Sequence, residues 1–216
     1  LFKIYAGIDV FDLEVDEKDP KKFVEIVRSL APTFGGINLE DIKAPECFEI
    51  EEELKATLDI PVMHDDQHGT AIISAAGMLN ALKIVGKKIE EAKIVVSGAG
   101  ASAQSCTKLY IALGAKRENI VMIDSKGVIR TDRPNLDERK AFFATSREGI
   151  YTLADAIQGA DLFLGLSQPG VLTPEMVQKM ASNPIVFALA NPEPEIRYED
   201  AKAARPDVLM ATGRSD

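Results

Sequence analysis

Two periods of apolar and polar residues run through this chain. Gly7 to Asp16 (GIDVFDLEVD) alternates apolar and polar positions, which predicts a half-buried strand. Asp19-Pro20 supplies an N-cap with Pro at the first helical position, and Phe23, Val24, Val27 and Leu30 follow at helical spacing. Gly35 to Asp41 (GGINLED) reads as a turn and a short buried strand ending in acids. Residues 45–58 read as a helix with Glu on its outer face, and 60–63 as a short strand. After Gly69 the texture changes. Residues 70–85 (TAIISAAGMLNALKIV) place Ala and Gly on a close-packing helix, and Lys93 to Ser97 (KIVVS) is a near-continuous apolar strand of the kind a parallel sheet buries on both faces. A Gly-rich turn, a helix over 102–113 and a strand over 120–124 (IVMID) come next. Further helices are predicted over 136–143, 152–158, 174–180 and 198–204, and further strands over 161–166, 185–190 and 208–211.

This alternation of strand and helix predicts an α/β fold: a doubly wound parallel sheet, Rossmann-like, preceded by a smaller α/β segment. The boundary is expected near His68–Thr70, dividing the chain into residues 1–68 and 69–216. No internal repeat or low-complexity segment interrupts the pattern.

Composition narrows the function classes. The chain has 216 residues, 46% of them hydrophobic, enough for a sizeable core in one or two domains. The formal net charge of −9 argues against nucleic acid as a partner. Cys47 and Cys106 lie far apart in unrelated contexts and read as reduced thiols of a cytoplasmic protein. No apolar run is long enough to span a bilayer, and no signal peptide is visible. Leu1-Phe2-Lys3 lacks an initiator Met and Arg214-Ser215-Asp216 carries no helix-ending signal, so the chain is expected to be a fragment trimmed at both ends.

Two groups of residues carry candidate chemistry. Gly98-Ala99-Gly100-Ala101-Ser102-Ala103 fits G-x-G-x-x-A between a strand and a helix. The first Gly permits a tight turn, the second lets a pyrophosphate approach the backbone, and the third small residue allows close helix–strand packing. Asp124 ends the next strand, where the motif expects an acid for the adenosine ribose. That acid favours NAD, whereas Ser125 and Lys126 beside it can receive a 2′-phosphate and favour NADP; the local chemistry points both ways. The second group is acidic. Glu40-Asp41 and Asp65-Asp66 each end a predicted strand. If those ends converge, their carboxylates make a hard-ligand site for Mg²⁺ or Mn²⁺; otherwise they are solvated loop acids or N-caps. His64 and His68 have zinc-like spacing, but Gly69 and the preceding strand argue against a helix there, and both are expected to be structural or to support a neighbouring ligand rather than to bind metal themselves. Asn191-Pro192, read locally, is a turn at a strand end.

Asn38-Leu39-Glu40-Asp41-Ile42, Met63-His64-Asp65-Asp66-Gln67-His68-Gly69-Thr70, Gly98-Ala99-Gly100 and Leu189-Ala190-Asn191-Pro192 together resemble malic enzyme across essentially the whole chain. The likeness is to the bacterial type, the form sometimes fused to a phosphate-acetyltransferase-like domain. It implies oxidation of L-malate by NAD or NADP and decarboxylation to pyruvate and CO₂ with Mg²⁺ or Mn²⁺, in a homo-oligomer. It assigns residues 1–68 to the family's substrate and metal domain and 69–216 to its dinucleotide domain. By the same resemblance Glu40, Asp41 and Asp66 match metal ligands, and Asp65 matches the Asp that orients the catalytic lysine. Thr70 and the Gly98 loop match dinucleotide phosphate contacts, and Asn191 matches an Asn that reaches substrate and nicotinamide.

The departures also count. The family's general-base lysine, its catalytic tyrosine and a second substrate-contacting Asn have no counterpart in the 216 residues. Lys3 and Tyr5 match neighbouring non-catalytic positions, and Ala101-Ser102-Ala103 stands where many relatives carry Ala-Ala-Gly. The expectation is an intact parent that decarboxylates malate and a fragment that alone is inactive or nearly so. Two rivals remain: a metal-independent amino-acid or shikimate-type dehydrogenase, which leaves the acidic pairs unexplained, and a dinucleotide-binding regulatory module in which they are surface charge.

Overall fold

The computed structural model describes residues 1–213, so the terminal Arg214–Asp216 lie outside the described residues. The chain divides into two compact units, Leu1–Met63 and His64–Asp216.

In the first unit, α1 (Phe2–Ala6) is followed by α2 (Pro20–Leu30), β1 (Ile37–Leu39) and α3 (Glu46–Thr57). Asp19 caps α2 as the sequence predicts, its carboxylate accepting from the Lys21 and Lys22 amides. Val24 and Val27 of α2 pack with Leu39, Ile50 and Leu54 in a small core. β1 pairs with β2 (Val62–His64) in a two-stranded sheet. The strand expected over Gly7–Asp16 does not form; the stretch between α1 and α2 has no regular element. Ile8, Val10, Phe11 and Leu13 are exposed. Alternation marks a surface suited to half-burial, but a strand also has to pair with another, and this stretch joins neither sheet.

The second unit opens with α4 (Asp65–Val85), which starts four residues earlier than Gly69 suggests. A mid-helix Gly costs about 1 kcal/mol relative to Ala, yet here it makes room: a Cβ at Gly69 would overlap the Asp65 carboxylate folded back over it. The helix therefore does run through His68, contrary to the expectation from sequence.

After α4 come β3 (Ile94–Ser97), α5 (Ala101–Ala112), β4 (Ile120–Asp124), β5 (Gly127–Val128), α6 (Glu138–Ala141), α7 (Leu153–Ala156), β6 (Leu162–Gly165), α8 (Pro174–Gln178), β7 (Ile185–Ala188), α9 (Tyr198–Ala204) and β8 (Leu209–Thr212). Six strands form one sheet in the order β5-β4-β3-β6-β7-β8. Five run parallel, and only β5, which the sequence pattern does not predict, is antiparallel. Asp124 pairs with Gly127, so Ser125 and Lys126 form the hairpin turn. The inner strands are buried along their lengths. Ile94, Val96, Met122 and Leu164 face α4 and α5, while Val95, Val121, Phe163 and Val186 face Val177 of α8 and Ala201 of α9. This is the doubly wound sheet the sequence predicts. Strand order reverses between β3 and β6, and in such sheets ligands bind beyond the carboxyl ends of the strands at that reversal.

Candidate functional site

The loop leaving β3 has the geometry its glycines suggest. Gly98 sits at φ +116°, and a Cβ there would run into the Leu166 carbonyl. Gly100 is different. It is the N-cap of α5 with extended backbone (φ −77°, ψ −171°), no side chain caps that helix end, and a Cβ would meet nothing within 4 Å. The first amides of a twelve-residue helix therefore open onto unfilled space, a setting that suits an anion. Ala103 is buried, as close helix–strand packing requires, and the Gln104 side chain donates to the Ala99 carbonyl at 3.0 Å, bracing the loop. A cleft of about 250 Å³ lies beyond, bounded by Gly100 to Ala103 on one side and by Ser167 and Asn191 on the other. These residues follow β3, β6 and β7. The cleft thus lies at the sheet's reversal, and its donor set and open glycine fit a dinucleotide pyrophosphate.

At the end of β4, Asp124 meets partners the sequence reading missed. Its two oxygens accept from Arg133 Nη1 at 2.9 and 2.8 Å, and one also accepts from Lys140 Nζ at 3.0 Å. The Lys126 amide donates to it at 2.9 Å. Arg133 continues to the carbonyls of Gly127 and Val128, pinning β5. Burial opposes ionisation of Asp124, but the bonds from the Lys126 amide, Arg133 and Lys140 outweigh it and hold the carboxyl below its usual range. Its only signal in sequence was position: Arg133 and Lys140 follow the strand by nine and sixteen residues.

The acidic residues divide between the units. In the second unit, Asp65 and Asp66 form the first turn of α4, both half-buried. Ser102 Oγ donates to the Asp66 carbonyl at 2.5 Å, tying this turn to the first turn of α5. The Asp66 carboxylate lies 3.9 Å from His64 Nε2, and His64 is fully buried. Thr70 stands further along α4, half-buried. In the first unit, Glu40 and Asp41 follow β1, and both are exposed. Asn38 Nδ2 donates to Glu40 at 3.3 Å, and Asp41 adopts a left-handed backbone with φ +55°. Within neither unit does a group of three or more His, Cys, Asp or Glu gather among the described residues. The carboxylate donors themselves suit a hard divalent cation.

Cys47 and Cys106 are buried thiols, neither in a disulfide. Burial pushes the Cys106 thiol up to about 11, with the Ser74 hydroxyl offsetting part of the rise, so this thiol stays protonated and unreactive at neutral pH. Among the described residues no helix is long and apolar enough to cross a membrane.

Comparison with known proteins gives a consistent result. The family model "Malic enzyme, NAD binding domain" matches residues 67–215, and "Malic enzyme, N-terminal domain" matches residues 3–55. The chain is 61% identical to the NADP-dependent malic enzyme of Escherichia coli K12, over its whole length but 29% of that protein. It is 57% identical to the NAD-dependent malic enzyme of Rhizobium meliloti, spanning 28% of it. Among solved structures, the NAD-dependent malic enzyme of Thermotoga maritima matches with a TM-score of 0.94 at 45% identity, covering 100% of this chain and 58% of that one.

Proposed function

The chain belongs to the malic enzyme family, and we propose that the full-length protein oxidises L-malate with a nicotinamide dinucleotide and releases CO₂ to leave pyruvate. One observation supports this most: the uncapped N-terminus of α5 opens on a cleft whose far wall holds Asn191, and Ser102 on that same helix is bonded to the Asp65–Asp66 turn. Dinucleotide loop, substrate-side Asn and acidic turn thus stand together at one end of one sheet.

In this reading the loop from Gly98 to Ala103, with Thr70, holds the dinucleotide phosphates. Asn191 hydrogen-bonds substrate and nicotinamide. Asp65 orients the lysine that takes the proton from the malate hydroxyl. Asp66 would be a ligand of Mg²⁺ or Mn²⁺, which when bound supplies a Lewis acid for the C2 oxygen and for the enolate left as CO₂ departs. The charge balance at the end of β4 supports NADP: Lys126, Arg133 and Lys140 stand against the single carboxylate of Asp124, leaving positive charge for a 2′-phosphate. No residue of the 216 stands at the family's lysine or tyrosine position, so these residues alone bind dinucleotide without turning malate over.

The test is malate-dependent reduction of NADP by the full-length protein, with pyruvate measured as product. Chelation should abolish turnover and Mn²⁺ should restore it. Asp66→Ala should raise the Mn²⁺ requirement about 10-fold or more while dinucleotide affinity changes less than about twofold. Turnover indifferent to chelation, or oxidation without pyruvate, overturns the proposal.

A further inference from the structure

Glu195 carries an acid where the fold would be expected to exclude one. The run Asn191-Pro192-Glu193-Pro194-Glu195 reads in sequence as a solvated loop, yet Glu195 has no exposed surface. Its Oε1 accepts from the Ser167 amide at 2.9 Å and from Ser167 Oγ at 3.2 Å, and its Oε2 accepts from the Ala190 amide at 3.0 Å. Ser167 Oγ also lies 2.9 Å from Ser97 Oγ. Among the described residues no cation pairs with this carboxylate. Gly165 supplies the space, since a Cβ there would sit on the carboxyl group.

Glu195, its two partners and Ser97 behind them form a network at the ends of three adjacent strands. Ser97 ends β3, Ser167 follows β6, and Ala190 follows β7 immediately before Asn191. Beyond the last ladder bonds these chains part to make the cleft, and their amides lose their strand partners. One acceptor that reaches two amides and a hydroxyl at once satisfies them. An anion does this more strongly than a neutral group, because the bonds are charge-assisted. Burying an acid without a cation is costly, and an apolar side chain would fill the space. The use that remains for a charge is to fix the two loops against each other.

We propose that Glu195 is a positioning residue: its buried carboxylate clamps the Ser167 loop to the Asn191 loop and sets the width of the nicotinamide end of the cleft. This rests on reading that cleft as the dinucleotide site. The clamp lies at the ends of β3, β6 and β7, while Asp124 and its cations lie at the end of β4. Loss of the clamp should therefore impair the nicotinamide half and spare the adenosine half.

The experiment compares two probes by calorimetry on the full-length protein, NADP and 2′-phospho-ADP-ribose. In Glu195→Gln one donor amide would face another, so NADP affinity should fall about 10-fold, a loss of about 1.4 kcal/mol, with 2′-phospho-ADP-ribose changed less than about twofold. Ser167→Ala keeps both backbone bonds and removes only the hydroxyl link. It should give the same split at about threefold, and it carries the test if Glu195→Gln does not fold. Equal weakening of both probes marks a merely structural acid and overturns the proposal, as does no change in either. Wild-type protein that binds neither probe overturns the dinucleotide reading itself, and the clamp with it.

Discussion

The carboxyl ends of the strands use carboxylates in opposite ways at two places along the sheet. At the end of β4, Asp124 is bonded to two cations and an amide, and Lys126 stands in the adjacent turn. At the ends of β6 and β7, Glu195 is buried among neutral donors. The first arrangement leaves an excess of positive charge near the surface, where a charged ligand group can meet it. The second presents no charge outward and spends its bonds on loop geometry. Ionic contacts at a surface respond to salt and to ligand charge, whereas a buried, neutral-donor clamp responds to shape.

The largest effects should come from the glycines between these ends, which divide the same way. Gly100→Val puts a side chain into the space where a Cβ meets nothing, at a φ of −77° that any residue adopts. It should weaken dinucleotide binding about 100-fold or more by blocking backbone approach to the pyrophosphate, with the urea midpoint nearly unchanged. Gly98→Ala meets the Leu166 carbonyl at φ +116° and should cost about 2–4 kcal/mol of stability. Calorimetry and urea unfolding of both variants decide it. If Gly100→Val unfolds as readily as Gly98→Ala, the open space is not a ligand's.

Lys140→Ala is a milder probe of the cationic end, because Arg133 still holds Asp124 and the β5 carbonyls. It should weaken NADP about fivefold and NAD hardly at all, with the loss shrinking as salt rises. Glu195→Gln should show no such salt dependence. A salt-independent loss at Lys140, equal for both nucleotides, would erase the distinction between the two ends.

How much of this was legible in sequence follows from how local each feature is. The β3–loop–α5–β4 unit could be read directly, since buried strands show as apolar runs (IVVS, IVMID) and the turn between them needs its glycines. The start of α4 could not, because Gly69 reads as a breaker until the Asp65 side chain is seen lying over it. The alternation of Gly7–Asp16 misled because periodicity records which side chains would share a face, not whether a partner edge exists. Arg133 in a loop and Lys140 on α6 sit among other cations, and only the folded chain selects them for Asp124. Glu195 was the least visible. Its serine partner, Ser167, comes from a loop 28 residues away, and its own loop looks like solvent-facing acid and proline. Contacts within one supersecondary unit leave a pattern, whereas those between strand ends distant in sequence leave none.

The smallest effect should be a pH dependence confined to the cationic end. Arg133, Lys140 and the Lys126 amide stabilise the ionised form of Asp124 against the cost of its burial, so its folded pKa lies below its unfolded one. Unfolded chain then binds the proton more readily, and the Asp124 contribution to stability is present in full above the unfolded value of about 4. It is lost as pH falls below about 4 through the folded value. Asn cannot ionise, so the stability gap between wild type and Asp124→Asn should be flat from neutral pH down to about 5 and close under stronger acid. Urea midpoints for the pair across this range measure it. A gap that closes near neutral pH, or widens on acidification, would mean that burial outweighs the cations. The carboxylate at the β4 end would then be a buried acid of the same kind as Glu195, and the surplus of positive charge read there would not be free for a ligand.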